Sequence, residues 1–312
     1  MKKILIFGTG FIATSLIEYF QNKDKKIEFI VLFNKHKIEG LSNKRQFSMN
    51  DDIASLLHLE KPNYIIMLHG NSFVSENISI ESCTNDNMLK ATSFLEKLYE
   101  TKFYKNIEKI ILVGSASEYG KFYNKPIKED FPLHPTSLYG LSKILLYNAS
   151  KYFIDRGLPI IYVRQFNTVG QGQRDTFVFP SFAKNIAMIE KKPHKPVLNV
   201  GDLSQERDFI DIRDTCAAYE LLMEKGEVGE AYNVASGEYI SINGLLKNII
   251  KQSDLIYADL EINENVNLFS KEASLSKRLH ADISKIKELG FKRKFTLDET
   301  INDVLEYWRQ NV

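Results

Sequence analysis

The chain has 312 residues, 44% of them hydrophobic, and its 41 Lys and Arg offset 40 Asp and Glu to leave a net charge of +1. A sizeable core in one large or two smaller domains is expected, and the scattered basic residues leave no footprint for nucleic acid or an anionic membrane. The two cysteines, Cys83 and Cys216, sit in helical-looking segments far from other candidate ligands, which argues against a disulfide and against a zinc site.

The N-terminus, Met1-Lys2-Lys3 followed by Ile4 to Phe7, has the basic-then-apolar look of a signal peptide. Its apolar run stops at Gly8-Thr9-Gly10, with Glu18 and the polar residues 21–26 close behind, so it reads as a buried first strand. No apolar run reaches the length that spans a bilayer, and a soluble, cytoplasmic protein is expected.

The strand at residues 3–7, the turn Gly8-Thr9-Gly10-Phe11-Ile12-Ala13 and a helical pattern through Phe20 form the context a dinucleotide fingerprint requires, here as G-x-G-x-x-A. Gly8 permits the tight turn and Gly10 the close approach of a pyrophosphate. The amides of Phe11 and Ile12 at the helix N-terminus would donate to it. An ordinary strand-to-helix turn is the alternative. A second strand, residues 29–33, ends at Asn34-Lys35-His36-Lys37. An acid at that point selects the free 2′-hydroxyl of NAD, and basic residues accommodate the 2′-phosphate of NADP. Here the acid is missing, basic residues follow, and Asn34 can hydrogen-bond a ribose hydroxyl, so NAD and NADP both stay open.

A third strand at residues 64–68 leads into His69-Gly70-Asn71-Ser72, and a helix with an apolar period runs from about Ser82 to Glu100. The fourth strand, residues 109–113, ends in Gly114-Ser115-Ala116-Ser117-Glu118-Tyr119-Gly120. Strands and helices alternating through short loops predict an α/β fold, a doubly wound parallel Rossmann sheet. Ligands gather at the carboxyl ends of such strands, where Ser115 and Ser117 stand. A loop with Pro126, Pro132 and Pro135 then precedes the helix carrying Tyr139-Gly140-Leu141-Ser142-Lys143. Four-residue spacing puts Tyr139 and Lys143 on one helix face. An ammonium beside a phenol favours the phenolate and lowers a tyrosine pKa from about 10, which suits proton transfer near neutral pH. The same spacing also occurs on solvated helix faces, so the rest of the chain has to support it.

After a strand at residues 159–164 the strict alternation is lost. Helices are expected at 177–189, 214–225, 242–251 and 297–309, with strands at 197–200 and 231–234, the latter returning to the sheet. The C-terminal part reads as a smaller α+β cap over the carboxyl edge, with Arg278 in a polar segment between the last two helices.

Several stretches in order carry a resemblance: Tyr139 to Lys143, Val163-Arg-Gln-Phe-Asn167-Thr-Val-Gly170-Gln-Gly172, Arg207-Asp-Phe-Ile-Asp-Ile-Arg213-Asp214, Glu230-Ala-Tyr-Asn-Val-Ala-Ser-Gly237, and Phe177 to Glu190. Over nearly its whole length the chain resembles the extended short-chain dehydrogenase/reductase (NAD-dependent epimerase/dehydratase) family, and it is most similar to the GDP-4-keto-6-deoxy-D-mannose reductases. The resemblance implies NAD or NADP as cofactor, a nucleotide-sugar substrate and a homo-oligomer, dimer or tetramer. It also implies a Rossmann domain of residues 1–166 and 208–235 and a C-terminal α+β nucleotide-sugar-binding domain of residues 167–207 and 236–312. By resemblance Ser115 bonds the reacting sugar oxygen, with Ser117 as second choice. Tyr139 is the acid/base, Lys143 tunes it and binds the nicotinamide ribose, and Asn87 lies near the cofactor. Asn167, Arg207 and Arg278 hold the pyrophosphate or adjoining groups, as guanidinium forks suit phosphate. For Arg207 a salt bridge to Asp208 or Asp211 is the alternative, and for Arg278 an exposed surface position.

Three departures bear on the reaction. The 4,6-dehydratases place a carboxylate directly after the Ser/Thr, where this chain has Ala116 and Ser117. Neither can do acid/base work, and Glu118 falls one step later, where the family has a spacer. The glycine turn is one residue shorter than usual. His69, in a run where relatives carry His-Leu-Ala-Ala, is left unassigned. The expected activity is therefore an NAD(P)-dependent oxidation or reduction at C4 of a nucleotide-linked sugar, GDP-linked by resemblance: a 4-keto-6-deoxyhexose reductase or a hexose or heptose 4-dehydrogenase. A 4-epimerase with tightly bound NAD is the alternative, dehydration is disfavoured, and a non-catalytic protein on the same fold is the reading from another class. A role in making an unusual sugar for a surface polysaccharide is expected by resemblance only.

Overall fold

The structure is a computed structural model that describes residues 2–23, 26–34, 36–40, 44–71, 79–120, 123, 125–191, 197–265 and 277–312. Lys35, Ser72 and part of the 21–26 polar block lie outside them. Strands β1 (Lys3–Phe7), β2 (Glu28–Phe33), β3 (Lys44–Ser48), β4 (Tyr64–Met67), β5 (Lys109–Val113) and β6 (Ile160–Gln165) come first. They are followed by β7 (Asn167–Val169), β8 (Val197–Val200), β9 (Glu206–Arg207), β10 (Phe209–Asp211), β11 (Ala231–Val234), β12 (Ile240–Ser241), β13 (Glu261–Glu264) and β14 (Arg278–Leu279).

A seven-stranded sheet in the order β11-β6-β5-β4-β1-β2-β3, parallel throughout, forms the centre. Its inner strands are apolar at consecutive positions because both faces are covered. In β1, Ile4 and Ile6 pack on one face and Leu5 and Phe7 on the other. Strands β2, β4, β5 and β6 repeat the split, with Val31, Ile66, Ile111 and Val163 on the first face and Leu32, Met67, Leu112 and Tyr162 on the second. The period of two thus builds two cores from one sheet. Helices α1 (Phe11–Lys23) and α7 (Ile212–Lys225) close the first, with Leu16, Ile17, Tyr219 and Leu222 buried. Helices α4 (Lys90–Glu100) and α5 (Leu138–Ile154) close the second, with Phe94, Leu95, Leu146 and Phe153 buried.

A third core is C-terminal. Phe182, Ile186, Leu245, Ile249, Ile301 and Val304 pack together where α6 (Val178–Lys191), α8 (Ile242–Lys251) and the helix Leu297–Asn311 meet. Asp214 on α7 ties the segment before that last helix to the sheet side, accepting from the amides of Lys294 (2.9 Å) and Phe295 (3.1 Å).

Neither β3 nor α2 (Ile53–Glu60) was expected from the sequence, nor were the short strands β7, β9, β10, β12, β13 and β14 or the helix Ser284–Glu288. Strand β3 is the sheet edge and reads Lys-Arg-Gln-Phe-Ser, so it carries no apolar run to announce it. The helix expected from Ser82 starts at Ile80 and is not α-helical throughout: α3 (Ile80–Thr84) joins α4 through a π-helical turn at Asn85–Leu89. Cys83 and Cys216 lie on α3 and α7 as buried free thiols. Among the described residues no helix is long and apolar enough to cross a membrane.

Candidate active site

Strand β1 has β2 on one side and β4 on the other, so the chain reverses its direction of travel across the sheet at this strand. Ligands bind outside the carboxyl ends at such a switch point. A cleft of about 460 Å³ opens there, within the size range of small-molecule sites. Gly10, Phe11 and Ile12 line it after β1, Gly70 and Asn71 after β4, Gly114 to Ser117 after β5, and Gln165 to Val169 at the end of β6 and along β7. Tyr139 and Lys143 enter from α5 and Phe177 and Phe179 from the start of α6.

The glycine turn fits a dinucleotide pyrophosphate. Gly8 has φ +118, a conformation that side-chain-bearing residues rarely adopt, and a Cβ there would stand 3.0 Å from the His69 amide nitrogen. At Gly10 a Cβ would meet nothing within 4 Å, so open space lies where a ligand would approach. The first bond into α1 runs from the Thr14 amide to the Gly10 carbonyl (3.1 Å), which leaves the earlier amides of that turn to the cleft. Asn34 is exposed at the end of β2 and outside the cleft lining. Thr9 donates to the carbonyl of the following His36 (2.8 Å), holding that loop against the glycine turn.

Asn87 sits in the π-helical turn, almost fully buried, one bond behind the cleft wall. Its Oδ1 accepts from the Asn71 amide (2.8 Å), and its Nδ2 donates to Cys83 Sγ (3.4 Å). Cys83 in turn lies 3.6 Å from Ser142 on α5. The wider turn re-aims one side chain out of the helical ladder, a common use of π-bulges at functional sites.

Ser115 is the N-cap of a short 3₁₀ turn, Ala116–Glu118. Its hydroxyl accepts from the Ser117 amide (3.1 Å) while Glu118 accepts from the Ser115 amide (2.8 Å). The turn after β5 is therefore closed at both ends. Helix α5 starts at an N-cap Ser137, whose hydroxyl accepts from the Gly140 amide (3.0 Å). Gly140 has no room for a Cβ against the Ser117 carbonyl, so α5 and the 3₁₀ turn meet backbone to backbone. That contact brings Tyr139, one residue before it, close enough to Ser115 for the serine hydroxyl to act on the phenol.

The electrostatics differ from the sequence expectation. Lys143 Nζ lies 5.8 Å from the centre of the Tyr139 ring and donates to the Val113 carbonyl (3.1 Å). Burial dominates the phenol and pushes it up to about 12, with the nearby Ser115 hydroxyl acting the other way. Tyr139 is thus held as a proton donor rather than a phenolate. Burial also pushes the Lys143 ammonium down to about 8, opposed by the negative charge of Glu118. Between that value and the ordinary 10.5 the unfolded chain keeps the proton and the folded chain releases it. Stability from this group therefore rises as pH climbs through that window. Urea midpoints measured across it are expected to rise more steeply in the wild type than in Lys143→Met.

Of the sequence candidates for substrate contact, Asn167 and Ser117 line the cleft. Asn167 Nδ2 also donates to the Asp208 carbonyl (3.0 Å). Arg207 and Arg278 are not part of the lining. Arg207 donates to Gln205 and the Glu206 carbonyl (2.8 Å) in its own segment and to the Lys277 carbonyl (3.3 Å) beside β14, and neither suggested aspartate bridge forms. Asp208 instead accepts from Ser236, Gly237 and Ala281, and Asp211 pairs with Arg213. Arg278 pairs with Glu206 and lies 4.4 Å over the Tyr239 ring.

Sequence reasoning missed Gln173 and Arg174, which line the cleft from the loop after β7. The Gln173 amide donates to the Thr168 carbonyl (2.8 Å), and its Oε1 is a buried acceptor without a partner among the described residues. His69 stays out of the lining, edge-on to Phe7 at 5.5 Å, and burial pushes it down to about 4. Glu118 also stays out. It is fully buried, with its carboxylate on Arg164 (2.9 Å) and the Tyr162 hydroxyl (2.8 Å). Among the described residues no Asp or Glu lines the cleft.

Known proteins agree with this architecture. GDP-6-deoxy-D-mannose reductase of Pseudomonas aeruginosa is 28% identical over 81% of this chain and 82% of its own. GDP-6-deoxy-D-talose 4-dehydrogenase of Aggregatibacter actinomycetemcomitans is 25% identical over 100% and 98%. The structure of RMD from Pseudomonas aeruginosa complexed with NADPH superposes with a TM-score of 0.80 at 24% identity, covering 99% of each chain. Dehydratases and epimerases of dTDP- and UDP-sugars match as well. The GDP-mannose 4,6 dehydratase family model matches residues 5–304, and the chain belongs to that family, within a superfamily of NAD(P)-dependent nucleotide-sugar dehydratases, reductases and epimerases.

Proposed function

We propose that this enzyme is an NAD(P)-dependent oxidoreductase acting at C4 of a GDP-linked sugar, as a 4-keto-6-deoxyhexose reductase or a 4-dehydrogenase. One observation carries the reading. Ser115, Tyr139 and Lys143 converge on a cleft whose described lining holds no carboxylate. That set can move a proton at one sugar oxygen, and it lacks the acid/base a 4,6-elimination needs. Two GDP-sugar enzymes among its relatives, a reductase and a 4-dehydrogenase, support the nucleotide and the carbon.

Gly8, Gly10 and the amides of Phe11 and Ile12 would hold the cofactor pyrophosphate, and Lys143 the nicotinamide ribose. The nicotinamide supplies or accepts the hydride. Tyr139, kept protonated by burial, gives its phenolic proton to the C4 oxygen during reduction; oxidation runs in reverse and starts from its phenolate, which takes the proton of the C4 hydroxyl. Ser115 holds the same oxygen. Asn167, Gln173 and Arg174 face the rest of the sugar nucleotide, the orphaned Gln173 Oε1 accepting from a sugar hydroxyl and the Arg174 fork suiting an anionic oxygen. The segments 167–207 and 236–312 form the sugar-nucleotide side of the molecule, and the working enzyme is a cytoplasmic homo-oligomer.

The test is incubation with a panel of GDP-, UDP-, CDP- and dTDP-sugars, with mass spectrometry of the products. One GDP-sugar is expected to change by two hydrogens with stoichiometric turnover of NAD(P)H or NAD(P). Conversion without mass change would instead mark a 4-epimerase. Loss of water would overturn the reading.

A further inference from the structure

Glu118 takes no part in the chemistry proposed above, yet three donors converge on its two oxygens. The Ser115 amide and the Tyr162 hydroxyl reach Oε1, each at 2.8 Å, and Arg164 Nε reaches Oε2 at 2.9 Å. Tyr162 and Arg164 stand two residues apart on β6, so both side chains leave the same face of the sheet. The Tyr162 hydroxyl also lies 3.0 Å from the Lys143 carbonyl on α5. Arg164 is 1% exposed and donates to the Tyr119 hydroxyl (3.2 Å) and the Glu129 carbonyl (2.7 Å). One carboxylate thus touches β5's terminal turn directly, and α5 through a single hydroxyl. Burial alone pushes the Glu118 carboxyl up, and Arg164 is the largest influence opposing that.

We propose that Glu118 is a positioning residue that fixes Ser115 against Tyr139 from beneath the cleft, with Arg164 orienting its carboxylate. The kinetic consequence rests on the C4 oxidoreductase reading, and the structural consequence does not.

The substitution that separates positioning from ion pairing is Glu118→Gln. An amide offers one acceptor oxygen where the site needs two. The charged Arg164 takes that oxygen, because charge-assisted hydrogen bonds are the stronger ones, and the Ser115 amide then faces an N–H. In Glu118→Gln, kcat is expected to fall by about tenfold or more, with KM for the sugar nucleotide and Kd for NADH or NADPH within about twofold. Hydrogen exchange at the Ser115 amide, followed by NMR, is expected to quicken by about tenfold or more. Adding Arg164→Met removes the competing donor and frees the Gln oxygen for Ser115. The double variant is expected to regain Ser115 protection and kcat to within about threefold of wild type.

A folded Glu118→Gln with unchanged kcat and unchanged Ser115 exchange overturns the proposal. So does a folded double variant that recovers neither. If Glu118→Gln alone does not fold, the double variant decides. If the wild type turns over no sugar nucleotide, the activity reading falls, and the exchange measurement still decides the role of Glu118.

Discussion

Tyr139→Phe is expected to lower kcat by about 10²–10⁴-fold, the range for losing a positioned general acid. The loss corresponds to about 3–5 kcal/mol of transition-state stabilisation. Folding should hold, because the ring keeps its place on α5 against the Ser115 turn and only a hydroxyl beside Ser115 is removed. The stability change is expected at about 1 kcal/mol or less. Cofactor affinity, measured by fluorescence titration of NADH or NADPH, should stay within a few-fold. With Tyr139 buried and its phenol pushed up to about 12, no nearby group substitutes: among the described residues, the other titratable side chains of the cleft are Lys143 and Arg174. Turnover that survives Tyr139→Phe would mean that Ser115 or solvent protonates the sugar oxygen, and the assignment of the tyrosine would be wrong.

Gly114→Ala is expected to be strongly damaging. A Cβ at this position falls well inside contact distance of the Tyr162 hydroxyl, its ring edge and Glu118 Oε1. None of these can yield cheaply, because Tyr162 and Glu118 are fully buried and bonded to each other. Overpacking of this kind costs about 1–3 kcal/mol or more. Displacing the Glu118 carboxylate adds the cost of a disturbed buried charge. The chemical-denaturation midpoint is the measurement, and kcat of any folded fraction should fall with it, since Gly114 also lines the cleft beside Ser115. A midpoint equal to that of the wild type would show that β5 and β6 can slide apart at this point.

How much of this was legible in sequence follows from what each signal encodes. Strands buried on two faces leave continuous apolar runs, so β1, β2, β4, β5, β6 and β11 could be read with ends within a residue or so. Edge strand β3 has one neighbour and polar side chains, and nothing marks it. The place of Ser115 at a strand end and of Tyr139 and Lys143 one helical turn apart was readable from strand and helix spacing, and their grouping came from the resemblance. Arg207 and Arg278 were named by resemblance, their guanidinium forks suiting phosphate, but a side chain's direction from a two-residue strand is set by pairing, here of β9 with β12 and β14, which sequence does not state. The tyrosine's titration was misjudged for a related reason. Spacing puts Lys143 on the same helix face, yet the ammonium is turned to the Val113 carbonyl, and burial then decides the direction.

The place of β11 has a consequence for synthesis. β6 receives its outer neighbour only after the chain from Phe166 to Glu230 has been made. A chain leaving the ribosome at about 5–20 residues per second carries β6 as an open edge, its outward N–H and C=O groups unmatched, for on the order of several seconds. During that interval a neighbouring nascent chain offers the same apolar strand in the same state. Translation speed through residues 166–230, rather than the stability of the finished sheet, sets how long the two are exposed to each other.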